Sequence, residues 1–453
     1  MLDMAQYIIQ KTVEDLRQKL NRDRRQEVNK YLDYYSGDNT KQYIQSKFKA
    51  SAFQEIEPVC FNITKRFIDR MSRIYTQKAS RNVSSQYDQY AYKKDNSMKH
   101  IEKMTRLLGT VAVQVTYDPE KKCFHYNPIL NFDVHLDEND PFNPMAIIYP
   151  LALPVAGIYQ DTKVKYAYWD AQHYIVYDSD GNVEEQYEHG VGRLPFVFLH
   201  REHQLDTFYT AGAFDIISAN EAIDILLTEA SLGMRFQMFG QYSITGLYSD
   251  EKIQRAGSDE ILILPEGAEF DIKSPKANVQ DAIELVKAMI DLVAQNNHLF
   301  VTFAQDGGEV PSGIALKIKD LERFEDFQDD VELWKQYEHE LYYLERDVAS
   351  MYNVNLPDNF KIDFAEPEYP ITAQDEIAKA AFALEHHLTT PAKLLQKHNK
   401  DLTLEEAQKI IDENEETNGT KEQQQQSGSI FSRLRNGTQT TQPNRPEDTE
   451  ETN

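Results

Sequence analysis

The chain has 453 residues, 41% of them hydrophobic, with 26 Tyr and 22 Phe, enough apolar surface for a sizeable core and too much for a wholly disordered chain. Its 48 basic and 74 acidic side chains leave a net charge of −26, which repels phosphate at long range and excludes a globally basic reader of nucleic acid. The charge is uneven: residues 1–107 carry 21 basic and 13 acidic side chains, a net of +8, against 27 and 61, a net of −34, in the remainder.

The N-terminal stretch alternates charged and apolar residues at helical spacing and lacks the apolar run of a signal peptide. No segment approaches the roughly 18 apolar residues of a membrane helix. With two cysteines, Cys60 and Cys123, one disulfide is possible, but there is no disulfide framework, so a soluble protein of a reducing compartment is expected. A first helix is predicted to about Tyr35, with Ile8, Val13, Leu16, Leu20, Val28 and Leu32 on one stripe and Gly37 capping its end. A second runs from about Pro58 to Gln77, apolar at Val59, Ile63, Phe67, Met71 and Ile74 and basic at Lys65, Arg66, Arg70 and Arg73. A third spans about Asp88 to Leu108.

The period then changes to two. Runs at 111–118, 122–128, 145–154, 164–170 and 173–178 read as strands, followed by an Asp-Gly turn at Asp180-Gly181 and two more strands around a Gly-rich turn, so 109–205 forms a β-rich unit. Helical spacing returns over 212–239. A short mixed segment follows, with a strand at 261–265, and then a helix over 279–296. A Gly-rich loop, 301–313, leads into the longest element. From Ile314 to Tyr352 no Pro or Gly interrupts apolar residues spaced three or four apart, a helix about 60 Å long. That length exceeds a compact domain, so a domain spine or a member of an assembly is expected. Its aromatic stripe is not a clean a/d heptad. Two helical pieces follow, the second starting at Thr390-Pro391. A last short helix precedes a polar tail expected to be disordered.

Catalytic signatures are missing. There is no GxxxxGK[ST], HExxH or GxSxG string, and two cysteines cannot build a Cys-rich zinc site. His386 and His387 are adjacent and diverge on a helix. Asp137-Glu138-Asn139-Asp140 and Asp178-Ser179-Asp180-Gly181 offer oxygen ligands for a cation, but both read better as turns. The loop with Gly307-Gly308 carries the acids Asp306 and Glu309 and no lysine at phosphate-cradle spacing.

Four strings, in order, resemble the portal protein of tailed double-stranded DNA bacteriophages: YLDYYSGD (31–38) with FNITKRFIDRMSRIY (61–75), EHGVGRLPFVFLHRE (188–202), YTAGAFDIISANEAIDILLTEAS (209–231), and PSGIALKIKDLERF (311–324). The resemblance covers about 25–355. It implies a mainly helical α+β subunit with a wing (1–208 and 312–369), stem helices (209–239 and 279–300), a clip (240–278), a tunnel loop (301–311), crown helices (370–412) and a disordered tail (413–453). It further implies a homo-oligomeric ring, a dodecamer in the family, at one capsid vertex of the virion, assembled in the host cytoplasm. Such a ring is non-enzymatic and without cofactor or metal. Its expected partners are double-stranded DNA bound non-specifically, the terminase large subunit, head-completion or tail adaptor proteins, and the major capsid and scaffolding proteins, with no membrane.

By position, the resemblance places Thr302, Phe303, Gln305, Asp306, Gly307, Gly308 and Glu309 in the tunnel loop. Ser312, Gly313, Ala315 and Leu316 start the long helix. The channel-lining stem would carry Asp215, Glu221, Asp224, Glu229, Arg235, Glu284, Lys287 and Asp291. A predominantly acidic wall suits a conduit, because strong cation contacts would grip DNA in a deep, salt-dependent way. The competing expectation is a capsid adaptor or scaffold that never contacts DNA and assembles through the long aromatic-rich helix. A metal-dependent enzyme built on the acidic turns has the least support.

Overall fold

The computed structural model describes residues 19–48, 57–151, 165–178, 181–239, 241–245, 269–273, 279–299, 301, 321–365, 373–399 and 402–422. The chain divides into two units, Met1–Glu368 and Tyr369–Asn453. It mixes helix and sheet.

In the first unit, α1 (Lys19–Ser36) buries Val28, Tyr31 and Tyr34. It ends at Gly37, whose φ of 86° is open to glycine without a Cβ clash, and whose N–H reaches the Asp33 carbonyl at 2.8 Å. A short α2 (Thr40–Ser46), not foreseen from the sequence, follows. The helix expected from Pro58 begins only at α3 (Ile63–Met71), with Asn62 accepting the Lys65 N–H as N-cap. The residues before it are held as irregular backbone by side chains of a distant helix, described below. The single helix expected over 88–108 is two, α4 (Ser85–Tyr90), capped by Ser84, and α5 (Lys94–Leu108), which buries Met98, Ile101, Met104, Leu107 and Leu108. At Gly109 φ is 81° and an added Cβ would lie 2.1 Å from the Thr210 carbonyl oxygen, so only glycine fits where α5 hands over to the sheet.

The β-rich unit forms two antiparallel sheets. One has three strands in the order β3 (Cys123–Ile129), β2 (Thr110–Asp118), β9 (Phe196–His200). The central strand turns Val111, Val113, Val115 and Tyr117 to the core shared with α5 and the long helix, while Ala112 on its other face joins a second core. The other has five strands in sequence order: β4 (Asp133–Leu136), β5 (Pro144–Pro150), β6 (Tyr166–Trp169), β7 (His173–Tyr177) and β8 (Val183–Glu188). A second core of Phe132, Ile147, Tyr149, Phe196 and Phe208 lies between strands of the two sheets. β8 is an edge strand with all six residues exposed, and its three glutamates discourage edge-to-edge pairing. A two-residue β1 (Ser80–Arg81) pairs with β12 (Ile362–Asp363). Cys60 and Cys123 are both free thiols.

Helix α6 (Phe214–Phe239) leads to an antiparallel pair, β10 (Gln241–Thr245) and β11 (Glu269–Lys273), and then to α7 (Val279–Asn296), which packs on α6. The strand expected at 261–265 lies outside the described residues, as does the beginning of the long helix. The described part of the latter is α8 (Leu321–Ser350), about 45 Å long. This part is a core element, as a domain spine would be: Phe327, Val331, Trp334, Tyr337, Leu341, Leu344 and Val348 are all buried. No described helix is long and apolar enough to cross a membrane.

In the second unit, α9 (Ala373–Glu385) precedes α10 (Pro391–His398), where Thr390 caps and Pro391 occupies the first turn. Thr403 and Glu406 form a reciprocal capping box for α11 (Leu404–Glu422). This helix extends past the expected start of the disordered tail at 413. Residues 423–453 lie outside the described set.

Candidate functional site

The N-terminal half of α6 presents a polar row at Asn220, Asp224 and Thr228, spaced i, i+4, i+8 and therefore on one face. All three are buried. They hold the irregular segment before α3, and the first two residues of α3, by their backbone groups. Asn220 Oδ1 accepts the N–H groups of Ile63 and Thr64 at 3.1 and 3.0 Å, and its Nδ2 donates to the Phe61 carbonyl at 2.9 Å. Asp224 Oδ1 accepts the Phe61 N–H at 2.9 Å, and Thr228 Oγ1 accepts that of Val59 at 3.0 Å. Burial pushes the Asp224 carboxyl up to about 7, outweighing its hydrogen bonds from the Phe61 amide and Asn220.

This arrangement corrects part of the expected acidic wall. Asp224 is fully buried, so it faces backbone and not a channel. Glu221 is half-buried and paired with Lys30 at 2.8 Å and Lys47 at 3.2 Å. Burial alone would raise its carboxyl, but the two lysines hold it below the usual range. Asp215 is exposed at the start of α6 and accepts from Asn297 Nδ2 at 2.8 Å. Glu229, Arg235 and Glu284 are exposed, and Lys287 and Asp291 half-exposed. Ile283, Leu285 and Leu292 also stand exposed on α7. Thr302, Phe303, Gln305, Asp306, Gly307, Gly308, Glu309, Ser312, Gly313, Ala315 and Leu316 lie outside the described residues.

The described residues on either side of 302–320 are held by the body of the subunit. On entry, Leu299 is buried and its N–H reaches the Ala294 carbonyl at 2.7 Å, closing the end of α7. On exit, Phe327 is buried and Arg323 Nη2 donates to the Arg70 carbonyl at 2.9 Å. His298 Nδ1 and Asp326 Oδ2 meet across the gap at 2.6 Å. Beside them lies a cavity of about 410 Å³, lined by Arg73, Arg106, Arg201 and Arg323 and by Glu202, Asp326, Asp329 and Asp330. Four guanidinium groups face four carboxylates, and Arg106 is ion-paired with Asp330. This lining is thus close to neutral in formal charge and offers phosphate no net attraction.

A buried ionic network, which the sequence reading missed, ties α8 to α5 and β1. Lys94, Glu338 and Glu345 have no solvent exposure. The Lys94 ammonium bridges Glu338 at 2.9 Å and Glu345 at 2.6 Å. Arg81 adds a two-nitrogen contact to Glu338, and the hydroxyls of Tyr75, Tyr87 and Tyr126 donate to the two carboxylates. Burial works against charge on Glu338, but Lys94 and Arg81 prevail and hold its carboxyl down at about 2. The spacing Glu338 to Glu345 is two helical turns, a signal hidden among 74 acids.

The acidic turns are self-contained. Asp137 Oδ1 accepts the Asn139 N–H and Asp140 Oδ1 that of Phe142, while Asp178 Oδ1 accepts that of Asn182. His387 sits at φ 56° beyond α9, and the His386 ring packs on Phe382. Among the described residues no group of three or more His, Cys, Asp or Glu is placed to hold a metal ion.

No protein-family model matches this chain, and no curated protein matches it.

Proposed function

We propose that this chain is the portal subunit of a tailed double-stranded DNA bacteriophage, a non-enzymatic ring component through which a separate terminase ATPase packages the genome and through which it is later ejected. The observation that carries the reading is the sequence of elements from α6 through β10–β11 and α7 to α8, with anchored residues on either side of 302–320. It joins the ordered strings of the sequence resemblance in one continuous stretch. A helix pair with a small β insert suits a stem and clip, and a segment whose flanking residues are held suits a contact with a moving polymer. The exposed apolar side chains of α7 want a lateral partner, which a neighbouring subunit of a homo-oligomer supplies. The exposed acids Glu229 and Glu284, with Asp291, keep a part for a repulsive wall; the buried Asp224 has none.

The adaptor reading loses its main support. It requires the aromatic stripe of α8 as an assembly surface, but Trp334, Tyr337 and Tyr342 are spent inside the subunit.

Negative-stain microscopy of the purified chain tests the proposal. Rings with a central channel are expected, and monomers or dimers alone at every concentration overturn it. Deletion of residues 304–309 is expected to leave rings intact and to impair packaging. Normal packaging by that variant removes the loop from the mechanism.

A further inference from the structure

A second cavity, of about 320 Å³, lies where α8 faces β9 and the 201–208 loop. Its walls include the rings of Phe142, Phe198, Phe208 and Tyr337. Phe208 is buried and set edge-on to Phe198 at 5.2 Å. Tyr337 is fixed by its hydroxyl, which accepts the His200 N–H at 3.0 Å. Two carboxylates, Glu202 and Glu340, share the lining, and no lysine or arginine does.

Glu202 is exposed and also borders the arginine-lined cavity, so the carboxylate peculiar to this lining, which it shares with His200 and His203, is Glu340. Among the described residues Glu340 receives one side-chain hydrogen bond, from Gln336 Nε2 at 3.1 Å, and no ion pair. Burial raises its carboxyl above the usual range despite Gln336 and the more distant Arg193, whose Nε is engaged by Asp347 at 3.0 Å. His200 does not compensate, because burial pushes it down to about 4 and leaves it neutral at pH 7. A partly desolvated carboxylate without a counter-ion is unfavourable. Aromatic rings attract cations, by about 0.5–2 kcal/mol each as desolvation increases.

We infer that this cavity is a binding site for an organic cation, a guanidinium or alkylammonium group held between the Phe208 and Tyr337 rings and the carboxylates of Glu202 and Glu340. The inference does not depend on the portal reading. Such a group is carried by a free amine or by a Lys or Arg side chain of a second copy, whose residues 1–107 are net basic.

Calorimetric titration of the full chain with butylguanidinium, and with the neutral isostere butylurea, tests it. Saturable binding of butylguanidinium at low salt, no binding of butylurea, and about tenfold weaker binding to E340Q are expected, a tenfold change being ~1.4 kcal/mol. The E202Q/E340Q double variant should bind still more weakly. Equal binding of the two probes, unchanged affinity in both variants, or no saturable binding overturns the inference. Circular dichroism and the thermal midpoint of each variant separate lost binding from lost folding. If sedimentation shows that butylguanidinium dissolves self-association, the natural ligand is a side chain of a second copy. If binding leaves self-association unchanged, it is a free amine. Either result upholds the cation site.

Discussion

Asn220 satisfies three backbone groups at once, the N–H groups of Ile63 and Thr64 and the carbonyl of Phe61, whereas Thr228 accepts from one, the N–H of Val59. Leaving a buried group unsatisfied costs about 1–3 kcal/mol, so the two positions should differ. We expect Asn220→Ala to lower the unfolding free energy by about 3 kcal/mol and Thr228→Val by about 1 kcal/mol, measured by urea titration. Equal small losses would mean that water takes over at Asn220. The same row shows where sequence reasoning stopped short. Asp224 has the composition of a wall residue and the location of a backbone clamp. Its i, i+4, i+8 alignment with Asn220 and Thr228 is visible in the sequence, but the partner is an irregular segment more than 150 residues earlier, and periodicity carries no information about such pairings.

At the scale of elements, α8 is tied to α5 and to β1 by Lys94, Arg81, Glu338 and Glu345. Because Glu338 titrates at about 2 in the folded chain and near 4.5 when unfolded, its contribution is complete above the unfolded value and disappears as pH falls toward 2. Glu338→Gln should therefore lose about 3 kcal/mol at pH 7, where it takes one of two carboxylate partners from each of the buried cations Lys94 and Arg81, and show a shallower decline in stability between pH 4.5 and 2. Parallel acid limbs for variant and wild type would disprove the linkage. Much of this level was legible beforehand. The strands at 110–118, 173–177 and 196–200, the cap at Thr390-Pro391 and the buried stripe of α8 follow from period and local chemistry. The helix expected from Pro58 to Gln77 was cut short at both ends by tertiary hydrogen bonds, Asn220 and Asp224 on one side and Glu102 accepting the Ile74 and Tyr75 N–H groups on the other. Helical spacing alone could not register that competition. The strand β4 was missed because only four residues pair, against a neighbour whose register shifts at His135/Leu136.

For the whole molecule, the division between 1–107 at +8 and the remainder at −34 is partly used within the subunit. Lys30 and Lys47 reach Glu221, Arg25 reaches Asp133, and Arg106 pairs with Asp330. Other basic residues, among them Lys65, Arg66 and Arg70 on α3, remain exposed and are available to an acidic neighbour. Ring assembly should then weaken as salt rises from about 0.05 to 0.5 M, since exposed charges are screened over about 10 Å at 0.1 M. Rings whose stability is indifferent to salt would assign cohesion to apolar contacts such as those of α7.

The contact of His298 with Asp326 carries a consequence in polymer terms. It joins two residues 28 positions apart in the chain. The entropy cost of such a closure grows only as the logarithm of the separation, about 0.6 kcal/mol for each doubling. A modest change in the number of residues between His298 and Asp326 should therefore alter the cost of forming this contact by only a fraction of that amount.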